Sequence, residues 1–95
     1  MTLERFQPLI GQDFTLNYPD YHEILTLVEA ESLKYPAPAG FPPGFILIFN
    51  GENPTTMLGQ AIYTLENAAL GRIEMFLSCI GPRPEGGFRY QAVFN

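Results

Sequence analysis

A chain of 95 residues with net charge −5, 46% hydrophobic and 16% charged residues, reads as a single domain (1–95), able to bury a core but thinly coated with charge. Its five basic residues, Arg5, Lys34, Arg72, Arg83 and Arg89, are scattered, which argues against a phosphate-tracking stripe and so against nucleic acid or anionic membranes as partners. One cysteine, Cys79, excludes an intrachain disulfide, and no basic n-region with an apolar run opens the chain, so the expectation is cytoplasmic residence with no membrane span, export with an assembly remaining open.

In chain order, Thr2 stands where it can cap a short helix over 3–9, with Glu4 near the positive end of that helix, Pro8 limiting its length and Gly11 stopping it. Phe6, Leu9 and Ile10 would plug one end of a sheet. A first strand follows over 13–18, and Asn17-Tyr18-Pro19-Asp20 supplies its turn. The stretch 21–33 reads as a second strand, because its Tyr, Ile, Thr and Val content outweighs the helix preference of its Glu, Leu and Ala. Its even positions, Ile24, Thr26, Val28 and Ala30, suit the inner face. Its odd positions run from Leu25 and Leu27 to Glu29 and Glu31, an outer face that emerges into water.

The segment 34–43 carries four prolines and is an extended, stiff loop. The continuous apolar run Phe45-Ile46-Leu47-Ile48-Phe49 predicts a strand over 44–50 buried on both faces. A connection over 51–59 leads to a fourth strand over 60–66. A turn over 67–71 then leads to a hairpin of two alternating strands, 72–80 and 87–94, joined by Gly81-Pro82-Arg83-Pro84-Glu85-Gly86-Gly87. Phe88, Tyr90, Val93 and Phe94 so near the end of the chain imply that the last segment is pinned into a sheet. The expected fold is all-β: a small antiparallel barrel or sandwich of about six strands with a short N-terminal helix.

Residues with chemistry are present but their spacing is bland. His22 and Cys79 could form an imidazole–thiolate pair. Cys79, however, continues the face Ile73, Met75, Leu77, where a free cysteine acts as a small hydrophobe. Asp13, Asp20 and Glu23 lack the ligand spacing and glycine of a calcium loop, so turn capping and solvation are the expected roles. Glu29 and Glu31, with Glu66 or Glu74 alongside, would be the minimum for glycosidase-type acid–base work. On an open strand end they are solvated charges. Gly51, Gly86 and Gly87 read as turn glycines without a phosphate-cradling motif. The expectation is a chain without enzymatic activity, cofactor or metal.

The aromatics carry more information. Those on strands, Phe14, Phe45, Phe49, Tyr63, Phe76, Phe88, Tyr90 and Phe94, suit sheet packing. Tyr18, Tyr21, Tyr35 and Phe41 lie in or beside Pro-rich turns. They either pack loops onto the ends of the domain or anchor a protein interface, and they are the interface candidates.

The stretch Gln60-Ala61-Ile62-Tyr63-Thr64-Leu65-Glu66, with Leu70-Gly71, Phe76-Leu77, Ile80-Gly81-Pro82 and Tyr90-Gln91-Ala92-Val93-Phe94-Asn95, resembles a family of small uncharacterised bacterial proteins known only as a domain of unknown function. Phe6, Leu9, Gly11 and Phe14 extend the resemblance to the front of the chain. The chain departs from that pattern at Ala61, Asn67 and Cys79, where the family usually has glycine, histidine and proline. The resemblance implies no activity. It implies a place beside a surface or tail-like structural protein, since such proteins are often encoded near phage tail-collar proteins. The function expected is therefore a non-enzymatic structural or protein-interaction module that binds a partner or itself through apolar surface or an edge strand. A small apolar-ligand-binding barrel is the alternative.

Overall fold

A computed structural model describes residues 2–34, 36–41 and 43–94. Six strands follow a short helical start: α1 (Leu3–Phe6) runs into a 3-10 turn (Gln7–Leu9), then come β1 (Asp13–Tyr18), β2 (Tyr21–Ser32), β3 (Phe45–Gly51), β4 (Ala61–Asn67), β5 (Gly71–Pro82) and β6 (Phe88–Phe94). They close into an antiparallel barrel in the order β1-β2-β3-β6-β5-β4. Closure gives every strand two neighbours and so disfavours the edge-pairing mode expected from the sequence, although the β1–β4 seam is held by only two residue pairs, Thr15–Glu66 and Leu16–Leu65.

The helical start matches its residues, with one difference. Thr2 makes no side-chain capping bond; its carbonyl instead accepts from the Arg5 N–H at 3.1 Å. Pro8 sits in the 3-10 turn, and Gly11 takes φ +95° as the chain turns into β1. Phe6 and Leu9 are buried, but Ile10 points into solvent.

The barrel interior is filled by alternate residues: Phe14 and Leu16 of β1, Leu47 and Phe49 of β3, Leu65 of β4, Met75 and Leu77 of β5, and Tyr90 and Ala92 of β6. β2 corrects the sequence reading. Its inner face is Glu23, Leu25 and Leu27, the odd positions. The β2–β3 register then slips between Leu27 and Glu29. The extra residue at this bulge, Val28, flips the alternation, so Ala30 is buried while Glu29 and Glu31 stay outside. Only the last third of the strand obeys the even-position reading. β3 also differs from expectation. One of its faces is buried, whereas Ile46 and Ile48 lie half-buried on the barrel exterior. The apolar run reflects a lightly covered outer wall, not burial on both faces.

The two ends of the barrel are closed by different segments. At one end Phe6 meets Phe45 and Phe94 at ring-centroid distances of 5.8 Å each, and Phe45 stacks on Phe94 at 4.6 Å. At the other, β3 and β4 are not neighbours, so residues 52–60 must cross the mouth. Leu58 of this strap joins the core.

Candidate functional site

The strap-covered mouth holds a buried carboxylate, Glu23, together with the tyrosine hydroxyls that fasten the strap. Glu23 is only 4% exposed although it is a carboxylate, because it occupies an inward position of β2 opposite Leu16 of β1. Its Oε2 accepts a hydrogen bond from the Asn53 backbone N–H at 3.1 Å, holding the start of the strap. Its Oε1 is buried and has no hydrogen-bond partner. Gly51 leaves the room: a Cβ there would sit 2.8 Å from the Tyr90 ring, 3.2 Å from Glu23 Oε1 and 3.3 Å from Leu25 Cδ2.

Three tyrosines complete the attachment. Tyr21 Oη accepts from Asn53 Nδ2 at 3.5 Å. The buried Tyr90 Oη accepts from the Leu58 N–H at 2.9 Å. The Tyr63 hydroxyl donates to the Gly59 carbonyl at 2.6 Å. Asn53 also organises the strap internally, its Oδ1 accepting from the N–H groups of Thr55 and Thr56 at 3.0 and 2.9 Å. Beside it, Arg83 Nη1 donates to the Gly51 carbonyl at 3.3 Å. The β5–β6 turn passes so close to that carbonyl that a Cβ on Gly87 would overlap it, and Gly87 also takes φ +83°.

The electrostatics follow from burial. Desolvation raises the Glu23 pKa, the nearby Glu52 charge adds to the rise, and the backbone N–H groups of Asn53 and Ile24 oppose it. Desolvation likewise raises Tyr21, Tyr63 and Tyr90. The Glu23 charge adds to the rise at Tyr21 and Tyr90, while the Leu58 N–H opposes it at Tyr90. The strap is thus held by groups that resist ionisation.

The interface candidates separate. Tyr18 and Tyr21 pack half-buried against the core. Tyr18 Oη accepts from the Thr64 N–H at 2.9 Å, stitching β1 to β4. Phe41 is 69% exposed, presented by a turn in which the Phe41 N–H donates to the Pro38 carbonyl at 3.1 Å. Gly40 there, at φ +86°, occupies the position that favours glycine. Tyr35 lies outside the described residues.

Other sequence candidates do not converge. His22 is exposed on the outer wall opposite Asn17, whereas Cys79 packs half-buried against the core opposite Tyr90. Asp13 starts β1 and Asp20 sits in the β1–β2 turn at its other end, with Glu23 inside the wall. Glu29 and Glu31 lie outward on β2, while Glu66 and Glu74 lie outward on β4 and β5 across from Arg72 and Thr64. No group of three or more His, Cys, Asp or Glu able to hold a metal occurs among the described residues. No helix among them is long and apolar enough to cross a membrane.

The exterior holds a feature that sequence reasoning passed over. Ile62 of β4 pairs directly with Phe76 of β5, and they are 65% and 49% exposed. Val93 of β6, 46% exposed, pairs with the half-buried Ile46 of β3. Ser78 of β5 pairs with Gln91 of β6, two residues from Phe76 and Val93 respectively, so the two apolar pairs lie on adjoining parts of the outer wall. Its signal in the sequence was apolar residues on both phases of strands whose other phase fills the core.

The chain belongs to the family described as Domain of unknown function (DUF6916), which matches residues 1–94. No curated protein and no solved structure matches it.

Proposed function

We propose, for a member of a family defined only by its domain, that this protein is a non-enzymatic interaction module that docks a protein through the outer wall of its barrel. The single observation that carries this reading is the gathering of two outward apolar pairs, the exposed Ile62–Phe76 and the exposed Val93 with the half-buried Ile46, on four neighbouring strands. Apolar side chains gathered on an outer face, in a chain with few charges to cover it, have the character of a docking patch. A rigid barrel also holds such a patch without loss of backbone freedom on binding. Phe41, on its turned loop, is a second anchor of the kind that inserts into a partner's pocket. The dispersal of His22, Cys79 and the outer carboxylates supports a non-catalytic role. The resemblance to proteins encoded beside tail-collar proteins makes a tail-like or surface assembly the first place to look for the partner.

The test is absolute mass by light scattering across a wide concentration range, with a pull-down of tail-collar proteins, for wild type and an Ile62→Thr/Phe76→Thr double variant. Threonine suits an exposed strand position, so the far-UV spectrum should be unchanged. The reading expects self-association or capture in the wild type and weakening in the variant. Equal association by both proteins would remove the patch as the interface.

A further inference from the structure

We infer that Glu23 is a proton-controlled latch on the strap 52–60: as a neutral acid it lets the strap seat over the barrel mouth, and as a carboxylate it loosens it. The geometry makes this one group decisive. One oxygen, Oε2, holds the strap by accepting from the Asn53 N–H. The other, Oε1, sits inside the mouth beside Gly51, Leu25 and the Tyr90 ring without any donor. A buried carboxylate missing a donor is much more costly than a buried neutral acid, and opening the strap is the way to hydrate it.

Among the described residues, the groups that face Glu23 from the barrel interior and the strap are acidic or neutral. From its own strand Glu23 is faced by Tyr21, and the exposed His22 adjoins it on the outer side. From the strap come Glu52, which repels it, and Asn53. From β6 it is faced by Tyr90, beside which lies Cys79 of β5, and from β4 Tyr63 adjoins Tyr21. From β1 its neighbour is the apolar Leu16. Arg83, on the β5–β6 turn, is engaged with the Gly51 carbonyl, while its Nε lies 3.6 Å from Glu85. The rise in the Glu23 pKa through burial and Glu52 has the sign this arrangement requires. Below the ordinary glutamate range the strap is fully seated. As pH climbs above that range the seated state loses ground, until the raised pKa is passed and the effect levels off. Opening withdraws Leu58 from the core and uncovers the Tyr90 hydroxyl that accepts from its N–H.

The experiment is amide NMR of the full-length chain from pH 4 to 8. It follows the Asn53 shift and the hydrogen-exchange protection of Asn53 and Leu58, corrected for the intrinsic pH dependence of exchange. The Asn53 shift should titrate above the ordinary glutamate midpoint. Strap protection should fall with rising pH, by roughly tenfold for each unit by which that midpoint is raised. A Glu23→Gln chain should keep the strap protected throughout. An ordinary midpoint, or strap protection flat with pH in the wild type, would overturn the latch, and so would an unchanged pH dependence in Glu23→Gln. The wild-type titration decides the question even if the variant folds poorly.

Discussion

The two mouths of this barrel are closed by different physics. At the helical end, Phe6 covers the opening by contact with Phe45 and Phe94, and the buried polar side chain there is fully used. Asn67 donates through Nδ2 to the Asp13 carbonyl at 3.0 Å, and its Oδ1 accepts from the Ala69 and Leu70 N–H groups at 2.8 and 3.0 Å. At the strap end, Glu23, Tyr21 and Tyr90 accept hydrogen bonds from the strap and Tyr63 donates one to it, while Glu23 keeps one oxygen unpaired. An apolar plug is indifferent to pH and depends on shape. A polar strap is linked to protons, because its fasteners ionise and its burial opposes that ionisation.

Four substitutions sharpen the contrast. The largest effect belongs to the apolar end: Phe6→Ala, which removes a fully buried ring, should cost about 3–5 kcal/mol in denaturant unfolding with no pH dependence of its own. At the strap end, Tyr90→Phe leaves the buried Leu58 N–H without its acceptor and should cost about 1–3 kcal/mol, visible as a lower thermal midpoint. Gly51→Ala drives a methyl to 2.8 Å from the Tyr90 ring and should cost about 1–3 kcal/mol by overpacking. A neutral outcome for that alanine would mean the mouth is looser than the packing describes. The smallest effect in magnitude is the most specific. In wild type the folded Glu23 pKa lies above its unfolded value. The neutral acid is therefore favoured by folding, and stability falls as pH rises from the ordinary glutamate range through the raised value. Glu23→Gln should abolish that fall, so the difference between the two thermal midpoints should change with pH between 4 and 8. A constant difference would place Glu23 outside the linkage.

Much of the fold was legible in local pattern. Phe14 and Leu16, Ile73, Met75 and Leu77, and Tyr90 and Ala92 alternate with neighbours that are polar apart from Phe76 and Val93, and each set faces inward as period two requires. The helix-terminating Gly11 and the Gly86–Gly87 turn declared themselves by backbone chemistry, whereas the Pro-rich segment expected to be extended bends into a turn at Pro38–Phe41. The candidate site was not legible, and β2 shows why. A bulge at Val28 moves the inner face from odd to even positions within one strand. Averaging over the strand therefore assigned Leu25 and Leu27 to the outside and missed that Glu23 shares their phase.

Residue alternation and turn chemistry alone thus determined an all-β domain, its strand count and most of its core, because these depend on neighbours a few positions apart. Tertiary structure decided that the sheet closes into a barrel, that 52–60 crosses its mouth, and that Glu23 ends up beside Tyr90 rather than in water. Those outcomes depend on which strands meet and on where a single extra residue shifts their register. Such pairings join segments tens of residues apart, and no local pattern encodes them.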